Sequence, residues 1–237
     1  MNKTILLLAL CLSFGTFTFA QQDNTATQDP ESLRRRNESD QRVYQLAMRY
    51  NDLPVARIKL MELIERNPTN NRYPELLATL YFEAGQYASA AVASLDLLER
   101  NDQSITGLEI AAYSLEQLGA LDRALPNFER HYLLTGTLFS LYKSAFLQYS
   151  LNREEEALNS VNMLIKDRKS TEDLVGFPTS NNETQEVNMK AAALNLKGMI
   201  YMGQKNKAEA VEAFRQAIES APNFELAQEN LKEAQKM

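Results

Sequence analysis

The chain has 237 residues, with 25 Lys and Arg against 31 Asp and Glu, a formal net charge of −6, 44% hydrophobic residues and a single cysteine. A mildly acidic balance does not suit phosphate backbones or anionic membranes, which removes nucleic acid from the expected partners. One cysteine allows no internal disulfide.

Residues 1–20 read as a cleaved secretory signal. Lys3 gives the positive start, Ile5 to Leu12 an apolar middle too short to span a bilayer comfortably, and Thr18 and Ala20 the small residues ahead of a cleavage point. A membrane anchor is the alternative for this segment, and Cys11 raises a lipoprotein alternative that Leu10 before it does not favour. Cleavage near Ala20 would leave no cysteine and 24 basic against 31 acidic residues, and would place the mature protein in the periplasm or outside the cell. Residues 21–32 are polar with no apolar period and are expected to form a flexible leader. Arg34, Arg35 and Arg36 then open the first helix, as a solvated helix end or a docking patch.

From there the sequence repeats itself. Ala56, Ala90, Ala124, Ala157 and Ala210 stand at intervals of 34, 34, 33 and 53, the last being one period of 34 plus 19 inserted residues. Four residues after each alanine come Leu60, Ser94, Phe128, Val161 and Phe214, and seven after come Leu63, Leu97, His131, Leu164 and Ala217, one stripe of a helix. Twelve before come Tyr44, Ala78, Ala112, Ala145 and Gly198, mostly small enough for two helices to approach closely. Five before come Asn51, Gly85, Gly119, Asn152 and Lys205; Gly and Asn tolerate the left-handed conformation that ends a helix. Each unit therefore reads as helix, tight turn, helix.

Prolines keep the register. Pro54 and Pro74 fall in first turns, Pro68 and Pro222 close their units, and Pro126 lies far enough inside its helix to predict a local distortion. Residues 225–237 have the pattern of one more amphipathic helix, suited to capping an array.

These residues resemble the tetratricopeptide-repeat family over 37–237 in five units. The fifth carries Gly198, Tyr201, Ala210, Phe214, Ala217 and Pro222 where the family has Gly, Tyr, Ala, Phe, Ala and Pro, and departs at Lys197, where leucine is usual. The resemblance implies an all-α fold: a right-handed α-solenoid of about five hairpins plus a C-terminal capping helix. Units 1–4 occupy 33–170, an inserted loop 171–190, the fifth unit 191–224 and the cap 225–237. It also implies a non-catalytic role in holding another protein or an extended peptide, as an adaptor of the bacterial cell envelope. The alternative is a permanent structural subunit of an envelope complex whose groove a neighbour fills; an enzyme accessory or sensor is a third reading for which no site residues stand out.

In such an array the first helix of each unit lines a concave groove. The helix from Leu138 carries Leu138, Leu141 and Ala145 toward its neighbours and a second stripe, Phe139, Tyr142, Phe146 and Tyr149, toward the groove. The same offsets bring Leu76 and Phe82, Ile110 and Tyr113, and Met199 and Met202 to that surface, with Glu75, Glu83, Glu109 and Glu116 as an acidic rim. This is the expected partner-binding surface, suited to an apolar or aromatic segment with basic flanks. The insertion carries Leu174-Val175-Gly176-Phe177-Pro178, which could fill the groove, belong to the partner site, or give way to a helix from about Glu183. Family members that clamp a carboxylate use Lys, Asn and Arg where this chain has Gln41, Gln45, Leu76, Thr106 and Ile110, so no such clamp is expected.

No catalytic, cofactor or metal site is expected. His131 sits at a repeated packing position with no cysteine or second histidine to share a metal, and neither a phosphate-binding glycine loop nor a nucleophile elbow occurs. Glu154, Glu155 and Glu156 begin a helix, where negative charge suits the dipole.

Overall fold

The computed structural model describes residues 29–237, so the expected signal, Cys11 and most of the expected leader lie outside the described residues. Five helical hairpins follow one another: α1 (Pro30–Arg49) with α2 (Leu53–Arg66), α3 (Arg72–Glu83) with α4 (Tyr87–Arg100), α5 (Ile105–Gln117) with α6 (Leu121–Thr135), α7 (Leu138–Ser150) with α8 (Glu154–Lys166), and α9 (Met189–Gly203) with α10 (Lys207–Ser220). A last helix, α11 (Glu225–Lys236), packs on α9 and α10. Each second helix also packs on the first helix of the next unit, so the hairpins stack into an α-solenoid with first helices along one wall and second helices along the other.

The turn inside each hairpin is made where the sequence pattern placed it. Asn51, Gly85, Gly119, Asn152 and Lys205 all have positive φ, between 56° and 74°. At Gly85 and Gly119 this backbone is free of strain, whereas Lys205 adopts it against the usual preference of a side chain. Helix starts are fixed by side chains of Asp29, Asp52, Ser104 and Asn188, which accept from the backbone N–H of Glu31, Val55, Gly107 and Ala191.

The repeated alanines are core positions of the array. Ala56, Ala90, Ala124, Ala157 and Ala210 are all fully buried, and so are Leu60, Ser94, Val161 and Phe214 four residues on. Fully burying Leu60, Val161 or Phe214 contributes about 1.5–3 kcal/mol each relative to exposure, so the stripe holds its second helices down on their neighbours. Ser94 replaces a hydrophobe without orphaning its hydroxyl, which donates to Ala90 O at 2.7 Å. His131 is buried too, with its Nδ1 2.8 Å from Ser140 Oγ, so it joins α6 to α7 as packing.

One boundary needs correction. Pro30 to Ser32 belong to α1, not to the leader, because Asp29 caps a helix that Pro30 can open. Of the two readings of the basic cluster the structure favours the solvated helix end, since Arg34 and Arg35 are exposed and paired with Glu31 of the same helix. Helix α6 runs continuously through Pro126, whose missing N–H leaves the Asp122 carbonyl without its intrahelical donor.

The insertion is neither an irregular loop nor a helix from Glu183. After a short 3-10 turn (Arg168–Thr171) it forms an antiparallel hairpin of β1 (Leu174–Pro178) and β2 (Thr184–Asn188), pairing Val175 with Val187 and Phe177 with Gln185. Alternation explains it: Val175, Phe177 and Val187 point to one face and are covered, while Leu174, Gly176 and Glu186 point away and are exposed.

The first hairpin is locked by charge. Asp40 of α1 meets Lys59 at 3.0 Å and also Arg66, both on α2, and the Asp40 and Arg66 side chains are only 10% and 9% exposed. Burial alone would raise the Asp40 carboxyl, but hydrogen bonds from Lys59 and Arg66 outweigh it and hold the pKa below the ordinary value. The stabilisation is therefore complete above the unfolded-state pKa of about 3.9 and is lost as pH falls through the lower folded value. The urea midpoint of the wild type is expected to fall more steeply than that of Asp40→Asn between about pH 5 and about pH 2. Parallel curves would show that the pair contributes nothing at neutral pH.

Candidate binding surface on the wall of first helices

The wall of first helices gathers most of the expected residues, unevenly exposed. Phe146, near the middle of α7, is the most open, at 37% of its surface. Phe139, about two helical turns before it, and Tyr149, one turn after, are half-buried against the core, as are Leu76, Phe82, Tyr113, Met199 and Met202. Leu76 borders a recess of about 50 Å³ between the first two units, with Tyr44, Gln45 and Arg72.

Ile110 and Tyr142 do not belong to the open surface. Ile110 is 5% exposed because it packs with Ala78 and Ala90, the small residues that let the second and third units close on each other. Tyr142 is 8% exposed because Phe177 of the inserted hairpin lies edge-on to it, ring centres 6.4 Å apart. Phe177 also leans on Phe224 at the start of α11, at 4.9 Å. The hairpin therefore reaches from α7 to α11 across α9, three successive first-wall helices, and covers that part of the wall itself.

The second, third and fourth units are joined by a cluster that the apolar stripe revealed only in part. Phe82 sits 5.8 Å from Tyr87 and 6.4 Å from Tyr113, and Tyr113 is edge-on to Phe128 at 5.1 Å. The Lys143 ammonium stands 5.9 Å and 5.7 Å from the ring centres of Tyr113 and Phe128 and pairs with Glu116. Burial, with Glu109 and Glu116 nearby, pushes the Tyr113 hydroxyl up to about 12. Glu116 is thus consumed by Lys143 and leaves the acidic rim, while Glu75, Glu83 and Glu109 have no cation within 4 Å among the described residues. The signal available in the sequence was Lys143 itself, the one charge in the otherwise uncharged α7.

On the opposite wall a cavity of about 580 Å³ opens between α2, α3 and α4, lined chiefly by Met61, Ile64, Leu77, Tyr81 and Val92. None of the ten residues expected to bind a partner lines it.

Comparison with known proteins agrees with this architecture. Residues 191–224 match the tetratricopeptide repeat. The chain is similar in fold to YrrB, described as a TPR protein with an unusual peptide-binding site, at TM-score 0.63 and 17% identity, covering 82% of this chain and 89% of that one. It is also similar to MamA (TM-score 0.60, 15% identity, 78% of this chain and 91% of that one) and to MamA from Desulfovibrio magneticus RS-1 (TM-score 0.57, 12% identity, 80% and 97%). At such identities the likeness is one of fold. No curated protein matches the sequence significantly.

Proposed function

We propose that the protein is an exported, non-catalytic scaffold that holds an extended segment of another protein along the wall of first helices. The observation that carries this reading is the open ring of Phe146, flanked by Phe139 and Tyr149 and bordered toward the second and third units by the unpaired carboxylates Glu75, Glu83 and Glu109. Exposed aromatic surface beside unpaired acids suits a segment that alternates apolar side chains with Lys or Arg. The peptide-binding site named for YrrB, a protein of similar fold, supports the same use here.

The reading is tested by pull-down from the exported fraction of the source cells with wild type and Phe139→Ala/Phe146→Ala. The variant is expected to lose the principal protein that the wild type retains. Equal recovery of the same proteins by both would remove this wall as the binding surface.

A further inference from the structure

The hydrogen-bond phase of the inserted hairpin can be read at its two ends. Met189 N–H donates to Asp173 O at 2.8 Å, and Thr179 N–H donates to Glu183 O at 2.9 Å. Both pairs share the register of Val175 with Val187 and Phe177 with Gln185. In an antiparallel ladder, residues that bond across the pair alternate with residues whose backbone points outward. Val175 and Phe177 therefore bond to β2, and Leu174, Gly176 and Pro178 direct their backbone groups away from it.

That outer edge is bare. Among the described residues β1 pairs with β2 alone, and no turn or loop backbone group bonds to Leu174, Gly176 or Pro178. The edge offers two N–H donors and three C=O acceptors; Pro178 has no N–H to leave unpaired, which suits it to an edge. Leu174 is 57% exposed and Gly176 is exposed as well.

The edge also faces the right way. The other strand, β2, is tied to the α10–α11 corner: Gln185 bonds to Asn223 and Glu225, and Asn188 donates to Ser220 O at 2.9 Å. This leaves β1 as the strand on the α7 side, where Phe177 meets Tyr142, one helical turn from Phe146.

We infer that β1 is a strand-addition site, at which an extended segment of a partner protein pairs with Leu174–Pro178 as a third strand. The inference rests on the wall of first helices being the binding surface, and it names how the segment is held there. Donors and acceptors two residues apart on one edge, about 7 Å, match the backbone of another strand, whereas a helix has satisfied its own. Gly176 carries no side chain of its own, only the Thr184 methyl leans over it from β2, and Glu186 opposite it is exposed with no cation within 4 Å among the described residues. A Lys or Arg of the added strand, opposite Gly176, can reach across it to Glu186. A second copy of this chain is the poorer occupant: pairing two five-residue edges falls well short of the roughly 1,000 Å² that a stable interface buries.

The test takes binders from a phage-displayed library of random dodecapeptides selected on the mature protein, and uses one synthesised peptide as the probe. On saturation, amide hydrogen exchange at Leu174 and Gly176, followed by NMR, is expected to slow, while Val175 and Phe177, already bonded to β2, stay as they were. Leu174→Pro should weaken the peptide about tenfold, the loss expected from one or two hydrogen bonds, and Phe146→Ala should weaken it as well. If Phe146→Ala weakens binding but the Leu174 and Gly176 amides still exchange fast, strand addition is overturned and the binding wall stands. Slowed amides with binding that ignores Phe146→Ala would keep strand addition and remove Phe146 from the surface; if the amides stay fast and binding ignores Phe146→Ala, or the library yields no binder, both readings fail. The wild-type exchange pattern decides the matter even where Leu174→Pro disturbs the hairpin.

Discussion

Phe214→Ala is expected to destabilise the protein by about 3–5 kcal/mol, the usual cost of emptying a fully buried aromatic site. Phe214 has no exposed surface, and it packs with Ala210, Ala234 and Met199, so one ring on α10 holds α9 and α11 together. Units of a stacked array touch only their neighbours, so the loss should be local. In native-state hydrogen exchange the amides of α9, α10 and α11 should lose protection while those of α1 to α4 keep theirs. A cost under about 1 kcal/mol would mean that the last unit relaxes around the gap and that the ring is not its keystone.

The second large effect lies across the same contact. A Cβ placed on Gly198 would stand 2.5 Å from the Phe214 ring, closer than real side chains come, and the buried ring has nowhere to move. Gly198→Val should therefore cost about 2–3 kcal/mol through overpacking, a steric cost that outweighs the small gain in helix propensity. Combined with Phe214→Ala the two losses should not add, because the new methyl groups enter the space left by the ring. Urea unfolding of the two single variants and the double variant measures this directly; strict additivity would show that the sites do not touch.

That contact was legible from spacing alone. A glycine twelve residues before Ala210 and a phenylalanine four after it fall in register with four other units, and the five turn positions found by the same offsets all have positive φ. Periodicity identifies what every unit must do alike: close two helices together and reverse the chain. It is silent on what one unit does differently. Lys143 and Glu116 meet because two first helices lie side by side, and nothing in a repeated stripe distinguishes a lysine that pairs from one that is solvated. Ile110 and Tyr142 illustrate the same limit, since offset alone does not say which groove-side residue a neighbour or an insertion will cover. The hairpin at 174–188 was hidden for a different reason. Its two-residue period runs for only five residues per strand, too short to stand out from a loop until Phe177 and its helical partners are seen together.

The covered part of the wall changes where a partner can lie. Phe177 occupies the aromatic position between Tyr142 and Phe224, so the open surface begins at Phe146 and extends toward the second and third units. The same contact holds the free edge of β1 beside that surface.

The most direct measurement is the affinity of one recovered partner for three proteins: the wild type, Phe139→Ala/Phe146→Ala on the wall of first helices, and Met61→Ser/Val92→Ser at the cavity on the opposite wall. Binding should weaken at least about tenfold in the first variant, a loss on the order of 1.4 kcal/mol, and stay unchanged in the second. Weakening by the Met61→Ser/Val92→Ser variant alone would move the binding surface to the wall of second helices and contradict the account.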